Sequence, residues 1–215
     1  MRIIAVSGYK DSGKSTLCRK LLRIFAERGL KTGYIKRTRE FVGSPPDTDS
    51  GAACAEGTPT LLWGDASFRY ETNAKNNGVE DAYDVAGKFF PDADIVILEG
   101  GKKLELPKIW VLRPNEALPE DAGIFAAYDR YGSGDGARRY GESETERLAF
   151  DMMELIEKNR RRARVYIGNH ELPMKDFVAD FVAGGVRGML GALKKTDEMG
   201  ETGSVRIYIG EEWSC

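Results

Sequence analysis

A chain of 215 residues, 41% hydrophobic and 31% charged, has the composition of a globular protein large enough to bury a core without disulfide staples. A formal net charge of −2 weighs against a nucleic-acid footprint, which needs a clustered basic excess. The three cysteines (Cys18, Cys54, Cys215) are far apart, with no C-x-x-C, and His170 is the single histidine, which excludes a disulfide framework and leaves little for a Cys/His zinc site.

The β-branched run Arg2–Ser7 predicts a buried strand at the start of the chain. With a core strand entered at once and no apolar run of membrane-spanning length, the expected location is cytoplasmic, with no signal peptide and no membrane partner. Gly8-Tyr9-Lys10-Asp11-Ser12-Gly13-Lys14-Ser15 then matches G-x-x-x-x-G-K-[ST] in full. Ser15 to Arg28 follows with Leu17, Leu21, Ile24 and Phe25 on one helical face. Strand, glycine loop and helix are the parts of a P-loop. In such a loop, backbone N–H groups turn inward around a phosphate chain, and the positive helix end adds to the pull. Lys14 would reach the terminal phosphates, and the Ser15 hydroxyl would sit on Mg²⁺.

Gly29 reads as the stop of that helix and Thr32–Lys36 as a second strand. Arg37 to Thr48, with Pro45-Pro46, is a predicted loop, followed by a helical turn or two over Gly51–Glu56. Thr60–Trp63 and Ser67–Glu71 predict a hairpin turning at Gly64-Asp65. A helix is expected over Glu80–Phe90, stopped before Pro91. Four consecutive aliphatics in Asp94–Glu99 predict a strand buried on both faces, as in a parallel sheet. Strands at Lys108–Leu112 and Gly123–Ala127 and a helix near Ser143–Arg162 complete the alternation. The basic run Arg160-Arg161-Arg162 closes that helix, where cations complement the dipole.

The expected fold is therefore α/β, a doubly wound and mostly parallel sheet over residues 1–163. Residues 164–215 read as a small strand–helix–strand appendage: a strand over Arg164–Asn169, an amphipathic helix over Lys175–Leu193 and a strand over Ser204–Ile209. A unit of that size buries its own apolar face poorly, so docking on the main domain or on a second subunit is expected.

Glu99 ends the buried strand where a carboxylate would hold Mg²⁺ or orient a water; the alternative is a solvated charge at a strand end. Asp49 is the second carboxylate placed near the metal, although Asp47-Thr48-Asp49-Ser50 is equally ordinary N-cap chemistry. Lys36 and Arg37 point to the same rim as phosphate contacts or as solvent-facing charges. No N-K-x-D element in sheet context reads a guanine; Asp129, after the strand ending at Ala127, is the candidate base acceptor, with a loop role as its alternative. His170, in a predicted turn, cannot build a Ser-His-Asp arrangement.

Taken in order, Gly8-Tyr9, Ser12-Gly13-Lys14-Ser15-Thr16-Leu17, Tyr34-Ile35-Lys36, Asp49-Ser50 with Gly57, and Ile95–Gly100 resemble the molybdopterin-guanine dinucleotide biosynthesis protein B (MobB) family. Leu172–Val178 and Gly188-Met189-Leu190 resemble a C-terminal extension of some members. The resemblance implies a GTP-binding adaptor with weak GTPase activity, Mg²⁺, a homodimer, and a molybdopterin-guanine nucleotidyltransferase, with molybdopterin itself, as partners. It carries phosphate binding to Gly13, Lys14, Ser15 and Thr16, and acidic roles to Asp49 and Glu99. The chain departs from the family at Arg37-Thr38-Arg39-Glu40, where a histidine-rich stretch is usual, and at the glycine-rich segment Tyr128–Glu142. The competing reading is an ATP-dependent small-molecule kinase or ligase, with Lys36, Arg37 and Arg39 on an anionic acceptor.

Overall fold

The computed structural model describes residues 2–38, 40–72, 82–120, 123–132, 138–157, 163, 165–167 and 170–193. Two compact units are present, one of residues 1–160 with 166–172 and one of 161–165 with 173–215. The first unit holds β1 (Arg2–Ser7), α1 (Lys14–Glu27), β2 (Thr32–Lys36), α2 (Asp49–Ala55), β3 (Thr60–Trp63), β4 (Phe68–Glu71), α3 (Ala82–Phe89) and β5 (Ile95–Glu99). It continues through β6 (Lys108–Val111), β7 (Ile124–Tyr128), β8 (Arg139–Tyr140), a 3₁₀ turn at Glu142–Glu144, α4 (Thr145–Glu157), β9 (Tyr166–Ile167) and β10 (His170–Glu171). The second contains α5 (Asp176–Gly191).

Six strands form one sheet in the order β2-β5-β1-β6-β7-β8, and every pairing in it is parallel. The period of two along each strand divides the core into two layers. Ile4 and Val6 of β1, Ile95 and Ile97 of β5, and Ile109 and Val111 of β6 join Leu17, Leu21 and Phe25 of α1 and Leu148 and Met152 of α4. On the opposite face, Ile3, Ala5, Val96 and Leu98 pack with Ala82 and Ala86 of α3. Burying each of the large aliphatics contributes about 1.5–3 kcal/mol. Helices on both faces and parallel strands between them make this the expected doubly wound α/β fold.

Several elements differ from the sequence expectation. β8 is a two-residue strand at the sheet edge, too short to leave a periodic signal. The expected helix from Ser143 starts instead with a 3₁₀ turn, and the α-helix spans Thr145–Glu157. Tyr166–Ile167 pairs antiparallel with His170–Glu171, so His170 lies in a strand rather than a turn. On α5, Phe177, Phe181, Met189 and Leu193 are exposed while Ala179 and Ala183 are buried, so burial falls on small residues and not on the large apolar ones of the expected amphipathic face. The expected strand at Ser204–Ile209 lies outside the described residues.

The hairpin β3–β4 forms as expected, with Gly64 N–H donating to the Ser67 carbonyl at 2.9 Å. It is a two-stranded sheet of its own, and its Trp63–Phe68 cross-strand pair is exposed at 88% and 73%. A buried latch ties it to the loop after β2. Ser44 donates its N–H to Glu71 Oε2 at 3.0 Å and its hydroxyl to Oε1 at 2.9 Å. Arg69 pairs with Glu71 at 2.6 Å. The Ser44 backbone donor, then its hydroxyl and Arg69, outweigh burial and hold the Glu71 carboxyl below its usual range.

Candidate functional site

β1 lies between β5 and β6, so the loop leaving β1 crosses the ends of both. Gly8 records how close that crossing is: at φ +150°, a Cβ would stand 2.5 Å from the Val111 carbonyl and 2.8 Å from Ser12 Oγ. Asp11 adopts φ 63°, and Gly13, at φ 94°, is the N-cap of α1. Among the described residues no side chain caps α1, and its first turn holds no acidic residue. Its leading backbone N–H groups therefore have no side-chain acceptor. Ser12 is only 6% exposed, and its hydroxyl has no hydrogen-bond partner among the described residues. A buried hydroxyl left unpaired costs about 1–3 kcal/mol. Uncapped N–H groups and an orphaned hydroxyl around one glycine loop fit a phosphate chain.

The Lys14 ammonium folds back onto the Tyr9 carbonyl. Burial holds this ammonium below its usual range; Glu99 pulls the other way, while the charges of Lys102 and Arg113 add to the depression. Ser15, exposed at the loop end, donates its hydroxyl to Glu99 Oε1 at 2.7 Å. The Tyr34 hydroxyl donates to Glu99 Oε2 at 2.5 Å. Burial, and then the bonded Glu99 carboxylate, push the Tyr34 phenol well above its usual range.

Strand register explains why these groups meet. Val6 and Lys36 both lie opposite Glu99, one on each neighbouring strand. Gly100 N–H donates to the Val6 carbonyl at 3.0 Å, Arg37 N–H to the Glu99 carbonyl at 3.0 Å, and the Ser7 hydroxyl to the Gly100 carbonyl at 2.7 Å. Glu99 itself is 6% exposed. A hydroxyl and a carboxylate oxygen are hard donors suited to Mg²⁺, which completes its shell with water and substrate phosphate. Among the described residues, no group of three or more His, Cys, Asp or Glu side chains forms a cage for an ion. The donor set thus fits a cation that arrives with a phosphate.

The remaining sequence candidates fall elsewhere. Tyr9, Lys10 and Asp11 form the exposed rim of the loop, and Thr16 is half-buried in the first turn of α1. Asp49 is exposed in the first turn of α2, a helix capped by Thr48, whose hydroxyl accepts from Gly51 N–H at 3.1 Å. No hydrogen bond among the described residues joins Asp49 to Ser15 or Glu99. Lys36 and Arg37 are exposed at the end of β2, while Arg39 lies outside the described residues. Asp129 accepts from Tyr131 N–H at 3.2 Å, Gly132 N–H at 3.0 Å and the Arg139 guanidinium at 2.7 Å. Burial opposes its ionisation, but the Arg139 bond and the Tyr131 and Gly132 donors keep its carboxyl below the usual range. A base bound there would compete with Arg139.

Sequence reasoning did not single out Tyr34, Ser7, Lys102 or Arg113 as site residues. Each reaches the loop through sheet order, which places β5 and β6 beside β1. Only that order brings to the loop a phenol two residues before the end of β2 and a cation two residues after β6.

Comparison with known proteins agrees with this arrangement. Residues 3–127 match the family model of molybdopterin guanine dinucleotide synthesis protein B, MobB. Over 122 residues the chain is 33% identical to a Methanocaldococcus jannaschii protein named "Putative molybdopterin-guanine dinucleotide biosynthesis adapter protein", covering 54% of this chain and 49% of that one. The chain thus spans about half the length of this curated relative. A crystal structure of molybdopterin-guanine biosynthesis protein B superposes with a TM-score of 0.54 at 24% identity, covering 72% of this chain and 99% of the other. The Bacillus subtilis MobB structure gives a TM-score of 0.52 at 23% identity, covering 73% and 98%. At those identities the superpositions speak for the fold. The family match spans more than half of the chain and includes the glycine loop, β5 and Glu99, and on that ground this chain belongs to the MobB family.

Proposed function

We propose that this chain is a GTP-binding accessory protein of molybdopterin guanine dinucleotide synthesis, with slow hydrolysis rather than fast turnover. The observation that carries the reading is the glycine loop around Ser12, where among the described residues the buried hydroxyl has no partner and the N-terminus of α1 no side-chain cap. Lys14 would leave the Tyr9 carbonyl for the terminal phosphates. Ser15 and Glu99 would hold Mg²⁺, which when bound neutralises developing phosphate charge. Asp49 is assigned to the outer rim of that site, acting through water. Guanine comes from the family and the biosynthetic product in its name; Asp129 is the base acceptor proposed, provided Arg139 yields.

The slow rate is part of the family reading. Ser15 and Tyr34 each donate a hydroxyl to Glu99, which favours a carboxylate held in place for Mg²⁺ over one free to swing onto a water. The nucleotidyltransferase that forms the dinucleotide, with molybdopterin, is the partner we assign. For a second copy of the chain we assign the exposed β3–β4 face around Leu61, Trp63 and Phe68. The test is GTP turnover with Mg²⁺, alone and with molybdopterin and the transferase. A basal rate below about 1 s⁻¹ is expected, since kinases run at roughly 1–100 s⁻¹. Faster basal turnover, or strong preference for ATP, would favour a small-molecule kinase instead.

A further inference from the structure

Two cations from outside the glycine loop are built against it. Lys102 Nζ stands 4.1 Å, and Arg113 Cζ 5.0 Å, from the centroid of the Tyr9 ring. Both side chains reach from exposed positions, but the backbone under each is fixed. Lys108, 2% exposed, donates its ammonium to the Lys102 carbonyl at 3.0 Å. Arg113 N–H donates to Glu116 Oε2 at 3.0 Å, and the other Glu116 oxygen accepts from Trp110 Nε1 at 2.8 Å. The Arg113 guanidinium also donates through Nε to the Lys10 carbonyl of the loop at 3.0 Å. Tyr9 in turn packs edge-on against Trp110, with ring centroids 5.7 Å apart.

Tyr9 therefore gathers three positive groups: Lys102 and Arg113 at its ring, and Lys14 at its carbonyl. Like charges brought this close repel, and an aromatic face offsets only part of that. Lys14 feels both of the other cations, against the carboxylates of Glu99 and Asp11. A polyanion entering the loop relieves the repulsion and fills the gap at Ser12 Oγ. Lys14 marks the end of the loop that meets the terminal phosphates. The planar guanidinium also matches phosphate oxygens in a way a lysine does not.

Resting on the triphosphate reading above, we propose that Lys102 and Arg113, aligned by the Tyr9 ring, form a clamp on the terminal phosphate that makes this site prefer nucleoside triphosphate over diphosphate. They are positioning and specificity residues that the glycine-loop motif does not contain. The experiment titrates a nonhydrolysable GTP analogue and GDP, each with Mg²⁺, into the full chain and into Arg113→Gln, Lys102→Gln, Tyr9→Leu and Lys14→Ala, with circular dichroism as the check on folding. A charge-assisted phosphate contact is worth about a ten- to hundredfold in affinity. Arg113→Gln and Lys102→Gln should thus weaken the GTP analogue at least about tenfold and GDP less than about threefold. Tyr9→Leu should lower the same ratio, and Arg113→Lys should restore part of it. An unchanged ratio in Arg113→Gln and Lys102→Gln, with Lys14→Ala binding neither ligand, overturns the clamp and leaves the nucleotide site standing. If the unaltered chain binds neither ligand, the nucleotide reading itself fails, and if Lys14→Ala binds both normally, the glycine loop is not the site.

Discussion

Glu99 holds two hydroxyl donors in a place where water scarcely reaches, and the consequences differ at its two oxygens. Tyr34→Phe removes one donor and leaves Oε2 without its partner, which should cost about 1 kcal/mol in a urea titration. Glu99→Gln keeps the size but loses the charge, and should weaken Mg²⁺ dependence of nucleotide binding by about tenfold or more. Unchanged Mg²⁺ dependence would remove Glu99 from the metal site. Cys18 behaves differently, because burial first and Glu99 second push its thiol from 9.0 up to about 12. A folded pKa above the unfolded one means that the unfolded chain ionises first as pH rises. Stability from Cys18 is therefore intact below about pH 9 and lost between pH 9 and about 12. Tyr140, raised to about 12 by burial and its bond to Asp151, acts in the upper part of that window. Urea midpoints measured from pH 8 to 11 should fall, and should fall less steeply in Cys18→Ala. An equal slope in both would mean that Cys18 is not buried as described.

At the scale of elements, α2 depends on one close approach. A Cβ on Gly51 would stand 2.0 Å from the Pro45 carbonyl, so the loop and the first turn of α2 fit only around a glycine. Gly51→Ala should destabilise by about 1–3 kcal/mol, the range for overpacking, and increase proteolytic nicking between Thr38 and Asp49. If it is neutral in both measurements, the loop is not held against α2. Elements of this kind also show where the sequence is readable. The aliphatic run of β5, the one-faced helix α1 and the Gly64-Asp65 turn carry local signals, and all three formed where their periodicity and turn chemistry placed them. Ser15 and Glu99 were legible for the same reason, as a loop motif and a charged strand end. Tyr34, Lys102 and Arg113 were not, because what brings them to the loop is the lateral order of strands far apart in the chain. β9 falls inside the strand expected over Arg164–Asn169, whereas β8 and β10 were missed because two residues are too few to show a period. The exposed phenylalanines of α5 fall outside what amphipathicity alone conveys, since pattern marks an apolar face without saying what covers it.

For the molecule as a whole, a parallel sheet with helices on both faces presents its ligand site beyond the carboxyl ends of its strands, and Ser7, Lys36, Glu99 and Val111 are such ends. The groups collected there are a glycine loop with an unpaired Ser12 hydroxyl, one buried carboxylate and three cations, and among the described residues no group of three or more His, Cys, Asp or Glu side chains could cage an ion. On the proposed reading, that inventory would hold a triphosphate rather than break it quickly. The most direct test of this account is a calorimetric titration of nonhydrolysable GTP and ATP analogues, each with Mg²⁺, into the full chain and into Lys14→Ala. The full chain should bind the GTP analogue at least about tenfold more tightly than the ATP analogue, a difference of about 1.4 kcal/mol, and folded Lys14→Ala should bind neither. Equal or tighter binding of the ATP analogue, or undiminished binding by Lys14→Ala, would contradict it.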